Sequence, residues 1–95
     1  MNIRYNIDAD TDLPHVYGHH VHESEIEDVL RRPLENLPGR RNSRIVIGRT
    51  RLGRVLKVVI VPDEEGEGVF VVTAFDLTGK PLRAFQRRLR RRGRR

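Results

Sequence analysis

Four histidines, His15, His19, His20 and His22, fall within one eight-residue stretch. An imidazole titrates near neutral pH, so one of them can serve as a general acid or base. His15 and His19 stand four apart, a spacing that lets two rings on one helical turn grip a metal. No third ligand is evident beside them and the chain has no cysteine. No metal and no other cofactor is therefore expected. A second set is cationic. Lys57 sits in the middle of an apolar run, with Arg44, Arg49, Arg51 and Arg54 near it in sequence. A lysine flanked by guanidinium groups can bind a phosphate backbone and stabilise charge on a phosphorane-like transition state. The same residues also have a purely structural reading. A charged sheet face stays soluble and resists edge pairing, and the histidines can be no more than a helix end and a loop.

The elements that must carry these residues are legible from periodicity. Ile3, Tyr5 and Ile7 alternate with polar neighbours, as in a short half-buried strand. Residues 15–20 suit one or two helical turns, weakened by Gly18. Ile26, Val29 and Leu30 then share one helical face, opposite Glu23, Glu25, Glu27 and Asp28. Acids early and Arg31–Arg32 late suit the helix dipole, and Pro33 ends the segment. Residues 34–42 read as a loop. Arg44–Arg49, Arg54–Val61 and Val69–Phe75 are rich in β-branched residues and read as three strands. Thr50–Gly53 joins the first two as a hairpin loop, and the acidic stretch 62–68 joins the last two. Pro81 opens a final helix carrying Leu82, Phe85 and Leu89 on one stripe. The expected fold is α+β: a short N-terminal strand, one or two helices, a three-stranded antiparallel meander and a C-terminal basic helix or tail. Helices should cover one face of the sheet. Residues 1–89 form the expected single domain, with 90–95 a disordered basic tail.

Charge is distributed in blocks. The 95 residues carry 19 Lys and Arg against 13 Asp and Glu, a formal net charge of +6. Residues 1–39 and 62–79 are acidic, whereas 40–61 and 80–95 contain no acid at all. Arginine far outnumbers lysine, and its planar fork suits phosphate. These features point to a polyanion partner, most simply nucleic acid. No run is long and apolar enough for a membrane span, and the polar, acidic start is unlike a secretory signal. A soluble, cytoplasmic protein with no membrane partner is expected. One core of modest size is affordable in a chain this short, so a large internal cofactor pocket is not expected.

Register decides which face the cations occupy. With Arg49 paired to Arg54, Ile45 and Ile47 join Leu56, Val58 and Ile60 on a wholly apolar face that meets the helices. Arg44, Val46 and Gly48 then share the open face with Val55, Lys57, Val59, Thr73 and Phe75. A one-residue slip would exchange the faces and push Lys57 toward the core, a burial cost that favours the first register. Tyr5 and Tyr17 could stack on a base but read more simply as core. No phosphate-cradling glycine loop and no Ser-His-Asp arrangement is present.

The stretch His19–Pro33, the run Arg44–Val61 and the strand Val71–Phe75 together resemble BrnT-type toxins, members of the RelE/ParE-like superfamily. The resemblance covers most of residues 15–76. His19 matches the family histidine, and Arg49, Arg54 and Lys57 match its basic hairpin residues loosely. His20 stands where the family has glycine, His22 where it has a Ser or Thr cap, and the last strand lacks the family's Arg-rich ending. The resemblance implies a compact α+β endoribonuclease of a type II toxin–antitoxin system, acting on RNA, including ribosome-associated mRNA, and paired with an acidic antitoxin. On that expectation His19, Lys57 and Arg49 are the catalytic candidates. Arg44, Arg51, Arg54, Arg83, Arg87 and Arg88 are the candidates for nucleic-acid binding. The alternative is a non-catalytic module that binds nucleic acid or an antitoxin.

Overall fold

A computed structural model describes residues 2–93. In chain order the elements are β1 (Asn2–Tyr5), a 3-10 helix (His15–His19), α1 (Glu23–Arg31), β2 (Glu35–Pro38), β3 (Arg44–Arg49), β4 (Val55–Pro62), β5 (Gly68–Asp76) and α2 (Gly79–Gly93). The fold is α+β. Five strands form one mixed sheet in the order β1-β5-β4-β3-β2. β1 runs parallel to β5, and every other neighbouring pair is antiparallel.

Local chemistry explains the element ends. Glu23 and Glu25 occupy the first turn of α1 and Arg31 its last, matching the dipole. The Glu25 carboxylate accepts from the His22 backbone N–H at 3.0 Å, satisfying a donor that the helix itself leaves unpaired. In β4, Leu56, Val58 and Ile60 are buried while the residues between them are half-buried.

That alternation separates two buried clusters, where the length of the chain suggests a single core. Leu56, Val58 and Ile60 join Val46, Val71 and Ala74 against Ile26 and Val29 of α1 and Val16 of the 3-10 helix. On the opposite face, Ile47 packs with Leu77 and Phe85, flanked by Ile45, Val55, Leu82 and Leu89. Phe85 is fully buried there, a contribution of about 1.5–3 kcal/mol that fixes α2 to the sheet. Helices therefore cover both faces, and the expectation of a single covered face is corrected. The register is corrected too. Arg49 pairs with Val55, Ile47 with Lys57 and Val46 with Val58. Ile45 and Ile47 thus share the Lys57 face, and Arg44 and Val46 lie on the other. Both faces of β3 and β4 are apolar because both are covered, so burial alone does not discriminate between the registers.

Two further departures shape the site. Residues 35–38 are a strand, not loop, and pair with β3 at the sheet edge. α2 continues through Arg90–Gly93, where a frayed tail was expected; Arg94 and Arg95 of that tail lie outside the described residues. Within β5 the register shifts by one residue: Val59 pairs with Thr73 and Ile60 with Val71, leaving Val72 as a bulge. Gly48 lets α1 approach β3, since a Cβ there would lie 3.1 Å from Val29 Cγ1.

Candidate nucleic-acid interface

The cations fall into two groups, those bound to carboxylates and those facing solvent without one. Arg54 belongs to the first. Its guanidinium donates to Glu25 and Asp76 carboxylates and to the His20 carbonyl, at 2.5–3.0 Å. It ties the end of the 3-10 helix to α1 and β5. This pairing raises the Arg54 pKa further above its ordinary value and holds the Asp76 carboxyl below the usual range. Arg88 also belongs to the first group. Glu35 lies opposite Ile47, so it faces α2, and its side chain is 1% exposed. Arg88 grips it with two hydrogen bonds, 2.6 and 2.9 Å, and Arg92 adds a third at 2.7 Å. The Arg88 hydrogen bonds lead in holding the Glu35 carboxyl below its ordinary range, against the opposing effect of burial. Arg92 also donates to the Leu34 carbonyl, which anchors the last turn of α2. Arg44 reaches across to the side chain and carbonyl of Asn36, and Arg51 pairs with Asp28.

Part of the second group lines α2; Arg32, Arg40 and Arg41 are exposed elsewhere. Arg83, Arg87, Arg90 and Arg91 are exposed, and none has a carboxylate within 4 Å among the described residues. Their spacing follows from the apolar stripe: with Leu82, Phe85 and Leu89 turned to the sheet, the intervening positions turn outward. Arg49, also exposed, sits beside Gln86, Leu89 and Arg90. It also lines a cleft of about 310 Å³ together with Asp28, Arg31, Arg32, Thr50 and Arg51.

A third arrangement lies on the other side of α2. Lys57 Nζ stands 5.7 Å from the centroid of the Phe75 ring, a cation–π contact between cross-strand partners. The His19 ring centroid lies 6.1 Å from that of the same phenyl, and the His15 and His19 rings meet edge to face with centroids 5.1 Å apart. His15 Nδ1 lies 3.0 Å from an Asp8 carboxylate oxygen. Phe75 is thus the common neighbour of an imidazole and an ammonium, both within reach of solvent.

Of the residues singled out in the sequence, His19 and Lys57 are brought together by Phe75, and Arg49 is not. α2 crosses from Leu77 over Val55 and Ile47 to Glu35, leaving Lys57 and Arg49 on opposite sides of the helix. Arg83 and Arg87 remain open to a ligand. Arg54 and Arg88, expected to hold phosphate, are committed to the protein's own acids, and Arg44 and Arg51 are partly committed. Three residues escaped the sequence reading of the site: Glu35, Asp8 and Phe75. Glu35 was hidden because its segment was read as a loop. Asp8 lies in a polar turn with nothing to link it to His15, and Phe75 is placed by the sequence on the Lys57 face with nothing to link it to His19. Among the described residues no group of three His, Asp or Glu gathers as metal ligands would. Among the described residues no helix is long and apolar enough to cross a membrane. Comparison with protein-family models, curated proteins and solved structures finds no match to this chain.

Proposed function

We propose that this chain binds RNA, gripping phosphates along the outer side of α2. One observation carries the reading: Arg83, Arg87, Arg90 and Arg91 form an uncompensated ridge, while neighbouring arginines on the same helix are neutralised. A protein that needed charge only for solubility has no reason to leave one side of a helix wholly cationic. Each phosphate neutralised on a single strand contributes about 0.7 to the slope of log affinity against log salt. Changing Arg83, Arg87 and Arg90 together to serine should therefore flatten that slope by about 2. Fluorescence anisotropy with a labelled single-stranded RNA over a salt series reads it directly. An unchanged affinity and slope in the triple variant would reject the ridge.

A second reading has its own support in the grouping of His19 and Lys57 about Phe75. It is a toxin-like, metal-independent endoribonuclease, in which the imidazole moves a proton and the ammonium steadies phosphate charge. With it go a RelE/BrnT-like place for the fold, action on mRNA in the cytoplasm, and an acidic antitoxin whose carboxylates would compete with RNA for the ridge. Incubation of the protein with a long RNA in EDTA, with and without ribosomes, tests it. RNA that survives excess protein under both conditions counts against cleavage and leaves the binding reading standing.

A further inference from the structure

We infer that His15, held by Asp8, is the second proton-transfer residue of an RNA-cleaving site whose other imidazole is His19. The inference rests on the ribonuclease reading and names the residue that reading lacks. Cleavage by the neighbouring hydroxyl needs two proton movements. A base takes the 2′-hydroxyl proton as that oxygen bonds to phosphorus. An acid delivers a proton to the 5′-oxygen as its bond to phosphorus breaks. The products are a 2′,3′-cyclic phosphate and a 5′-hydroxyl; the base ends protonated, the acid deprotonated, and exchange with water resets both. Attack and departure occur on opposite sides of phosphorus, so one imidazole cannot serve both at once.

The geometry offers a pair. The His15 and His19 rings have centroids 5.1 Å apart and lie 79° from coplanar, so their nitrogens can address one phosphate from two directions. Asp8 Oδ1 sits 3.0 Å from His15 Nδ1. A carboxylate there accepts from Nδ1–H and so leaves Nε2 free for a substrate. The backbone fixes this contact. The Asp8 N–H donates to the Leu13 carbonyl at 2.9 Å, and the His15 N–H donates to the Asn6 carbonyl at 2.7 Å. Ile7 and Pro14 bridge between them. The two side chains remain 40% and 35% exposed, so the dyad is open to a ligand. Phe75 offers a base a stacking surface. The charged and titratable groups around the pair are Asp8, His20, Lys57 against the Phe75 ring, and Arg54, which donates to the His19 and His20 carbonyls and is itself paired with Glu25 and Asp76.

The test uses the intact chain, a short RNA with a fluorophore and quencher, and EDTA throughout. Wild-type protein should give the cyclic phosphate with a bell-shaped pH dependence of kcat/KM. His15→Ala should lower kcat about 100-fold or more and remove one limb of the bell. Added imidazole should restore part of the rate, and RNA affinity should stay at the wild-type value. His15→Gln, closer in shape, guards against a folding artefact and should behave alike. Asp8→Asn should lower kcat with KM unchanged. A His15→Ala protein that keeps the wild-type rate and both limbs overturns the inference while cleavage itself stands. Wild-type protein that binds RNA but never cuts it overturns the ribonuclease reading and this inference together.

Discussion

Replacing Glu35 by glutamine should both weaken the fold and strengthen the grip on RNA. Glu35 is 4% exposed overall and accepts from Arg88 and Arg92. Removing one partner of a buried ion pair costs about 3–5 kcal/mol. Here the arginine side chains are 40% and 49% exposed, so water rehydrates them, and the neutral amide still accepts one bond. A loss of about 2 kcal/mol follows. In a domain of this size that lowers Tm by about 8–16 °C. The pH dependence has a definite sign. The Glu35 carboxyl is held below its ordinary value in the folded chain. Its contribution is therefore complete above the unfolded value of about 4.3 and disappears as pH falls through the depressed folded value. Wild-type and Glu35→Gln melting curves, recorded by circular dichroism, should lie apart near neutral pH and converge in acid. The same change frees two guanidinium groups, which should steepen the salt dependence of RNA binding by up to about 1.4. A variant melting within about 2 °C of wild type at neutral pH, or a gap undiminished in strong acid, refutes the reasoning.

Gly48→Ala should lower the urea midpoint with m unchanged, at a cost of about 1–3 kcal/mol, because the new Cβ meets Val29 Cγ1 at 3.1 Å and the Arg32 carbonyl at 3.4 Å. His20→Gly should raise stability by up to about 1 kcal/mol, since His20 adopts a left-handed backbone (φ 59°, ψ 36°) that costs an L residue roughly that much; a lower midpoint would show that the His20 side chain carries a contact of its own. Arg54→Met should cost about 2 kcal/mol and speed amide hydrogen exchange in residues 19–25 before it does so in β3; uniform exchange would show that Arg54 does not hold the 3-10 helix against the sheet.

The elements with strong local chemistry were readable in the sequence. The three meander strands and α1 lie within a residue or so of where periodicity places them, and Thr73 and Phe75 do share a face with Lys57. β2 was not readable. Glu35-Asn36-Leu37-Pro38 has weak strand preference, and its conformation comes from pairing with β3 at an edge that tolerates proline. The register slip has a different origin. A cost of burying Lys57 selects the register only when one face alone is covered, but α2 covers part of the second. Lys57 stays at the margin with its ammonium over Phe75, as long cationic side chains can. The arginine blocks announced a cationic surface without saying which members would be neutralised. That depends on contacts such as Glu35 with Arg88, 53 positions apart in sequence.

The unpaired Val72 has an implication for the whole cationic patch. Strand side chains take turns between two sides, and the extra residue resets that turn-taking partway along β5. Val71 and Ala74, three apart, can both enter one core, and Phe75 is left beneath Lys57. Forcing Val72 into the ladder would turn the end of the strand inside out and drive the phenyl into the space of an alanine, whereas deleting Val72 would close the ladder with Val71, Ala74 and Phe75 on the faces they now hold. Any effort to move the segment 71–75 unchanged onto another sheet must therefore leave room for the extra residue.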